Sequence, residues 1–281
     1  MESSSVNRRL KFSPVMSELY RLPELYQENQ DGSIVIAHRG ASAYYPENTM
    51  AAFRAAVELG ASMIELDILL SSDGVPVVFH DIMLNTHSSG KGKLSGHTLE
   101  QLKALDAGSW FDSDFKGIRI PVLEEVLTFA AGNITLNIEI KTEAVSDCCS
   151  GGVEEKCLRL VEEYGMSRHV LFSSFDYRAV THLKKMNPAI PAALLYNRAA
   201  SGKKKPVDLV RQYRADAFNY SYRQFRKIGN KDLKERGIPH FVYTVDHPEY
   251  MRALLDAGVS GIFTNKPDLL KAVTAEWNAE R

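Results

Sequence analysis

Ile34-Val35-Ile36-Ala37-His38-Arg39-Gly40-Ala41-Ser42 is the stretch on which the fold turns. Its opening residues are apolar and rich in β-branching, the signature of a strand covered on both faces. The turn at its end decides between the two architectures built from such strands. A doubly wound dinucleotide-binding sheet places G-x-G-x-x-G after its first strand, because a pyrophosphate can approach the backbone only over glycines. Here the turn reads His38-Arg39-Gly40-Ala41-Ser42 and carries no such fingerprint. Further strand patterns recur at 62–69, 134–141, 170–174, 192–196, 217–220, 240–245 and 261–264. Eight strands alternating with helices over roughly 250 residues predict an α/β fold, a (β/α)8 TIM barrel.

The helical patterns lie between these strands. Asn48 or Thr49 can cap a helix that Gly60 ends, 153–164 stops at Gly165, and Asp176 can cap a helix reaching 185. Apolar spacing also predicts helices over 207–213 and 225–236, and Pro248 and Pro267 sit where a helix start tolerates proline. The gap between the second and third strands is far longer than one helix needs, and long insertions in compact domains usually carry function. This insertion after strand 2, at about 70–120, contains the turn signal Ser72-Asp73-Gly74, a strand over 75–79, a Gly/Lys/Ser loop at 87–96 and a helix over 98–105. The barrel's own helix resumes at 123–130. Residues 1–30 are polar, lack a strand pattern and read as an N-terminal extension to a barrel domain of 31–281.

Bulk properties narrow the function. Of 281 residues 44% are hydrophobic and 25% charged, an ordinary globular balance. A net charge of −1 and a pI near 6.7 give no surface field to hold nucleic acid, so any anion must be bound by local groups. No apolar run is long enough to span a bilayer, and residues 1–16 lack the apolar stretch of a signal peptide, so stable membrane insertion is not expected. Cys148, Cys149 and Cys157 fit no zinc spacing and read as reduced thiols, consistent with a cytoplasmic location.

Strand parity assembles the chemistry. Glu65 and Asp67 are two apart and share one face of their strand; Glu139 and Lys141 share a face of the next. In a parallel barrel these positions approach the C-terminal strand ends, where barrel enzymes carry their active sites. Three carboxylates gathered there repel one another unless protons or a cation lie between them. Oxygen ligands favour Mg2+ or Ca2+. If Asp73-Gly74 is a two-residue turn, Ser72 pairs with Val75 and Asp67 falls opposite His80. His38 ends the first strand and brings Arg39. Two imidazoles, an arginine, a lysine and a metal in one cleft suit a phosphate ester. His87, His97, His169, His182, His240 and His247 lack such neighbours and read as structural, and Gly202-Lys203-Lys204-Lys205-Pro206 reads as a solvated loop.

The blocks His38-Arg39-Gly40, Pro46-Glu47-Asn48-Thr49, Glu65-Leu66-Asp67, His80-Asp81, Glu139-Ile140-Lys141 and Gly261-Ile262-Phe263-Thr264-Asn265-Lys266-Pro267-Asp268 resemble, in order, the motifs of the glycerophosphodiester phosphodiesterases. The resemblance implies a barrel with an insertion after strand 2 and metal-dependent hydrolysis of a glycerophosphodiester to sn-glycerol 3-phosphate and an alcohol. It implies that Glu65, Asp67 and Glu139 bind one divalent ion, and that His38 and His80 are an acid/base pair. Arg39 and Lys141 would contact phosphate, with Glu47 also lining the substrate site. The glycerol hydroxyl would attack phosphorus, and water would open the cyclic phosphate. One departure is Val242-Tyr243-Thr244-Val245-Asp246, where the family often has a pattern like V-W-T-V-N; Tyr243 still offers an aromatic wall with a polar tip.

Three alternatives share parts of this pattern. A lysophospholipase D would need an exposed apolar rim, for which Trp110 and Phe111 are candidates. A silent barrel would bind a phosphorylated ligand without turning it over. An aldolase or isomerase would use Lys141 as a Schiff base, which three neighbouring carboxylates oppose by keeping the amine charged.

Overall fold

Alternation along the first strand sets the geometry of the whole molecule. In the computed structural model, which describes residues 33–281, β1 (Ile34–His38) sends Ile34 and Ile36 into a small apolar cluster with Met63, Leu171, Ala193, Ala217, Phe241 and Phe263. Val35 and Ala37 point the other way, into a larger cluster shared with the surrounding helices. The expected extension at 1–30 lies outside the described residues.

The other strands repeat this division. They are β2 (Met63–Leu70), β3 (Pro76–Val78), β4 (Thr135–Ile140), β5 (Val170–Ser174), β6 (Ala192–Leu195), β7 (Ala217–Ser221), β8 (His240–Tyr243) and β9 (Gly261–Thr264). Parallel pairing runs β1-β2-β4-β5-β6-β7-β8-β9 and returns to β1, closing an eight-stranded barrel; β3 adds antiparallel to the outer part of β2. The predicted strands and the TIM barrel are thus present, with ends displaced by a residue or two. Because Ile64, Leu66 and Ile68 face the helices, Met63, Glu65 and Asp67 face the barrel axis.

Two local expectations fail. The hairpin after β2 does not have a two-residue turn: Ile68 pairs with Val78 and Leu69 with Val77, so the register brings Phe79, not His80, opposite Asp67. Ser71 N–H donates to Val75 O and Ser71 Oγ accepts from Val75 N–H, leaving Ser72, Asp73 and Gly74 as a three-residue loop. Gly74 supplies the left-handed conformation such a loop needs, at φ 78°. The predicted helix over 225–236 is two helices, Tyr222–Ile228 and Lys231–Glu235. A Ser221/Gln224 capping box starts the first a turn early, and Gly229 at φ 70° interrupts the pair.

Between β2 and β4 the chain builds a satellite core from Leu69, Val77, Phe79, Leu84, Leu94, Leu102, Ala107, Ile120 and Val122. It is fixed to the barrel through β3 and carries the Thr98-capped helix Leu99–Ala104, with Leu123–Ala130 beyond it as predicted. Among the described residues, no helix is long and apolar enough to cross a membrane.

Candidate active site

The inward parity of β1, β2 and β4 brings His38, Glu65, Asp67 and Glu139 to one end of the barrel. Register sets His38 beside Glu65 and Asp67 beside Glu139. One oxygen each from Glu65, Asp67 and Glu139 lies within 4.8 Å of the others, and all three residues are buried. Burial, then the charges of Asp67 and Glu139, push the Glu65 carboxyl well above its ordinary range. Burial and then Asp67 raise Glu139 to about 7, against the pull of Lys141. Burial also opposes ionisation of Asp67, but Lys141 and Arg39 outweigh it and lower its carboxyl to about 2. A compact, all-oxygen cluster with this excess of buried negative charge fits a hard divalent cation.

Two fixed cations edge the cluster. Lys141 Nζ lies 3.0 Å from Glu139 Oε1 and 3.3 Å from Asp67 Oδ1. Burial opposes its charge, yet those two carboxylates raise its pKa overall, so the amine stays protonated and is no Schiff-base nucleophile. Arg39 Nε lies 3.3 Å from Asp67 Oδ2, and its Nη1 donates to Glu47 Oε1 at 2.8 Å.

The turn after β1 places that arginine. Arg39 and Gly40 both take positive φ, 57° and 85°, which turns the chain so that Arg39 N–H donates to Glu65 Oε2 at 2.9 Å. A Cβ on Gly40 would sit 2.7 Å from the Ala52 carbonyl carbon, too close to be accommodated without moving the helix Met50–Glu58. Gly40→Ala is therefore expected to cost about 2 kcal/mol or more of stability. Chemical denaturation checks this, and an unchanged midpoint would contradict it.

Both histidines are tethered through Nδ1, which leaves Nε2 of each ring as the remaining nitrogen. His38 Nδ1 is 2.8 Å from Asn265 Oδ1, which accepts also from Ser42 Oγ. Asn265 is itself held by Asp246, whose Oδ2 accepts from Nδ2 at 2.7 Å and whose Oδ1 accepts from Asn265 N–H and Thr264 Oγ1. Burial, reinforced by Arg39, lowers His38 to about 4. His80 Nδ1 is 2.6 Å from Asp81 Oδ1, and the ring bears on the Asp67 carboxyl despite the shifted hairpin register. Tyr243 ends β8, packs edge-on against Phe175 and Phe263, and has its hydroxyl pKa raised by burial and then by Glu139.

The residues singled out in the sequence thus come to one end of the barrel, with Tyr243 at its far side. Sequence reading misses the groups that hold them. Asn48, buried at φ 55°, donates Nδ2 to Asp67 Oδ2 at 2.9 Å, so the helix cap falls to Thr49 alone. Its left-handed conformation is a role Asn fills more readily than most residues, which is the one available signal. His87 has the acidic neighbours it was expected to lack: its Nδ1 stands 3.0 Å from Asp81 Oδ2 and 4.0 Å from Glu47 Oε1. His182 pairs with buried Glu154, and His240 bonds Asn230 and Ile238.

Residues 38–269 match the Glycerophosphoryl diester phosphodiesterase family. A glycerophosphodiester phosphodiesterase of Caldanaerobacter subterraneus is 38% identical over 239 residues, covering 85% of this chain and 96% of the relative. Among solved structures, a glycerophosphodiester phosphodiesterase from Agrobacterium tumefaciens superposes with a TM-score of 0.75 at 29% identity, over 85% of this chain and 99% of that one. An Oleispira antarctica phosphodiesterase in complex with the product sn-glycerol-3-phosphate gives 0.76 at 28% identity, over 89% and 98%.

Proposed function

The chain belongs to the glycerophosphoryl diester phosphodiesterase family and is an enzyme that hydrolyses glycerophosphodiesters, and we propose that it does so with His38 and His80 as acid and base beside one divalent cation held by Glu65, Asp67 and Glu139. The observation that carries this reading is the convergence of three buried carboxylates with two imidazoles, each tied at Nδ1. When bound, Mg2+ or Ca2+ would polarise phosphate and glycerol oxygens as a Lewis acid.

The rest falls to side chains. Arg39 and Lys141 bind the phosphate oxygens, and Glu47 keeps the guanidinium in place. His38 Nε2 takes the proton from the glycerol 2-hydroxyl as its oxygen bonds to phosphorus. The bond from phosphorus to the alcohol oxygen breaks, and His80 Nε2 gives that oxygen a proton. Water then adds to the cyclic phosphodiester, losing a proton to His80, and the bond to the 2-oxygen breaks as His38 returns its proton. The result is sn-glycerol 3-phosphate and a free alcohol. The assignment rests on the hydrogen-bond partners: the neutral Asn265 amide suits a ring that starts as an acceptor, whereas Asp81 supplies a counter-charge to a ring that starts with both protons. Tyr243 forms the wall of the substrate site. The barrel of 31–281, with its insertion at about 70–120, acts as one catalytic unit in this reading.

A panel of glycerophosphodiesters, assayed for sn-glycerol 3-phosphate with EDTA and after metal add-back, tests the proposal. Release of product that EDTA leaves untouched would remove the metal from it. The lysophospholipase D reading shares this chemistry and is favoured by Ile82 and Met83, both exposed directly after His80-Asp81, and by Trp110, which is 38% exposed. Turnover of lysophosphatidylcholine above glycerophosphocholine would select it.

A further inference from the structure

His80 is held on one side by a carboxylate that has a second imidazole on its other oxygen. Asp81 Oδ1 meets His80 Nδ1 at 2.6 Å, while Oδ2 meets His87 Nδ1 at 3.0 Å. His87 reaches this place because a single 3-10 turn, Leu84–Thr86, follows His80-Asp81 and folds the insertion back over them. The Thr86 hydroxyl of the same turn also bears on the Asp81 carboxylate. The His87 ring is fixed edge-on between two aromatic side chains, with centroids 4.3 Å from Trp110 and 6.5 Å from Phe79. Its Nδ1 is buried and makes no well-aligned hydrogen bond, although the carboxylates of Asp81, at 3.0 Å, and Glu47, at 4.0 Å, stand beside it. Glu47 in turn holds Arg39 at 2.8 Å, so the ring stands where the β1 loop and the insertion meet.

We propose that His87 is a positioning residue for the phosphodiesterase reaction: it locks the Asp81 carboxylate, and Asp81 thereby orients the His80 ring. This rests on the reading of His80 as an acid/base group. A carboxylate part-exposed on the rim can rotate about its terminal torsion, and a hydrogen bond through one oxygen does not prevent that. A ring clamped between Trp110 and Phe79 with its Nδ1 3.0 Å from the second oxygen does. Loss of such an outer partner typically costs 10–100-fold in activity while substrate contacts persist, because the first residue is present but wrongly aimed. The insertion after β2 would then do more than shape the cleft, since it supplies the group that sets one of the two catalytic rings.

The test compares H87A, H87N and H80A with the wild type on one soluble glycerophosphodiester, under saturating metal. H87A is expected to lower kcat by about tenfold or more with KM within about twofold. H87N, whose amide nitrogen can stand where Nδ1 stood, should recover most of that loss at an equal Tm. A kcat for H87A within twofold of wild type, or H87N as slow as H87A, overturns the proposal. If H80A itself turns over normally, the reading of His80 has failed; if H80A is inactive while H87A is normal, only the role of His87 has failed.

Discussion

His38→Ala and His80→Ala are each expected to lower kcat by a hundred- to ten-thousandfold while the protein stays folded, the range that a positioned proton-transfer group contributes. The expectation comes from how each ring is held. Nδ1 of His38 faces Asn265 and Nδ1 of His80 faces Asp81, so neither ring can offer that nitrogen to a substrate, and Nε2 is the atom that remains for it. Truncation removes the proton carrier and leaves Arg39, Lys141 and the carboxylates in place to bind phosphate, so KM should change far less than kcat. Folding should survive. Each variant loses one partly buried hydrogen bond, worth about 1 kcal/mol, which shifts Tm by only about 2–4 °C in a domain of this size. The double variant should be little slower than the worse single one, because the two rings serve the same proton transfers and their effects do not multiply. Steady-state kinetics with a denaturation control check this. Near-normal rates in both single variants would remove the acid/base pair.

The features legible in the sequence are those fixed by a period of two. Parity along β2 and β4 puts Glu65 with Asp67 and makes Glu139 their neighbour, and the structure's register agrees. The barrel comes from counting apolar runs, since strands buried on both faces announce themselves. The features that stay hidden are set by single turns. A one-residue change in the 72–74 loop moves Phe79 opposite Asp67, and no alternation pattern distinguishes a two-residue from a three-residue turn around Ser-Asp-Gly. His80 reaches the site in spite of that shift, through the path of the chain beyond β3. His87, Asn265 and Asp246 act across long sequence separations or through a folded-back turn, and neither leaves a periodic trace.

Removing divalent cations with EDTA is expected to abolish turnover and also to lower Tm, with Mg2+ or Ca2+ restoring both. Without a cation, Glu65 and Glu139 relieve their mutual repulsion by holding protons, as their raised pKa values indicate, while Asp67 stays charged against Lys141 and Arg39. Two fixed cations do not neutralise three buried carboxylates together with Glu47. A ligand that binds only the folded state adds about 2.7 kcal/mol at a hundred times its Kd, which raises Tm by about 5–10 °C in a chain of this size. The carboxyls must release their protons to take a cation, so binding weakens as pH falls through the raised pKa of Glu139, about 7. The Tm increase should therefore be larger at pH 8 than at pH 6. E65Q and E139Q should lose most of it, because an amide oxygen supplies a ligand without the charge. Differential scanning calorimetry across a metal titration reads this without any substrate present. A Tm that ignores Mg2+ and Ca2+ at both pH values would mean that Glu65 and Glu139 are protonated members of a structural cluster around a charged Asp67, and the phosphate would then have only Arg39 and Lys141 to polarise it.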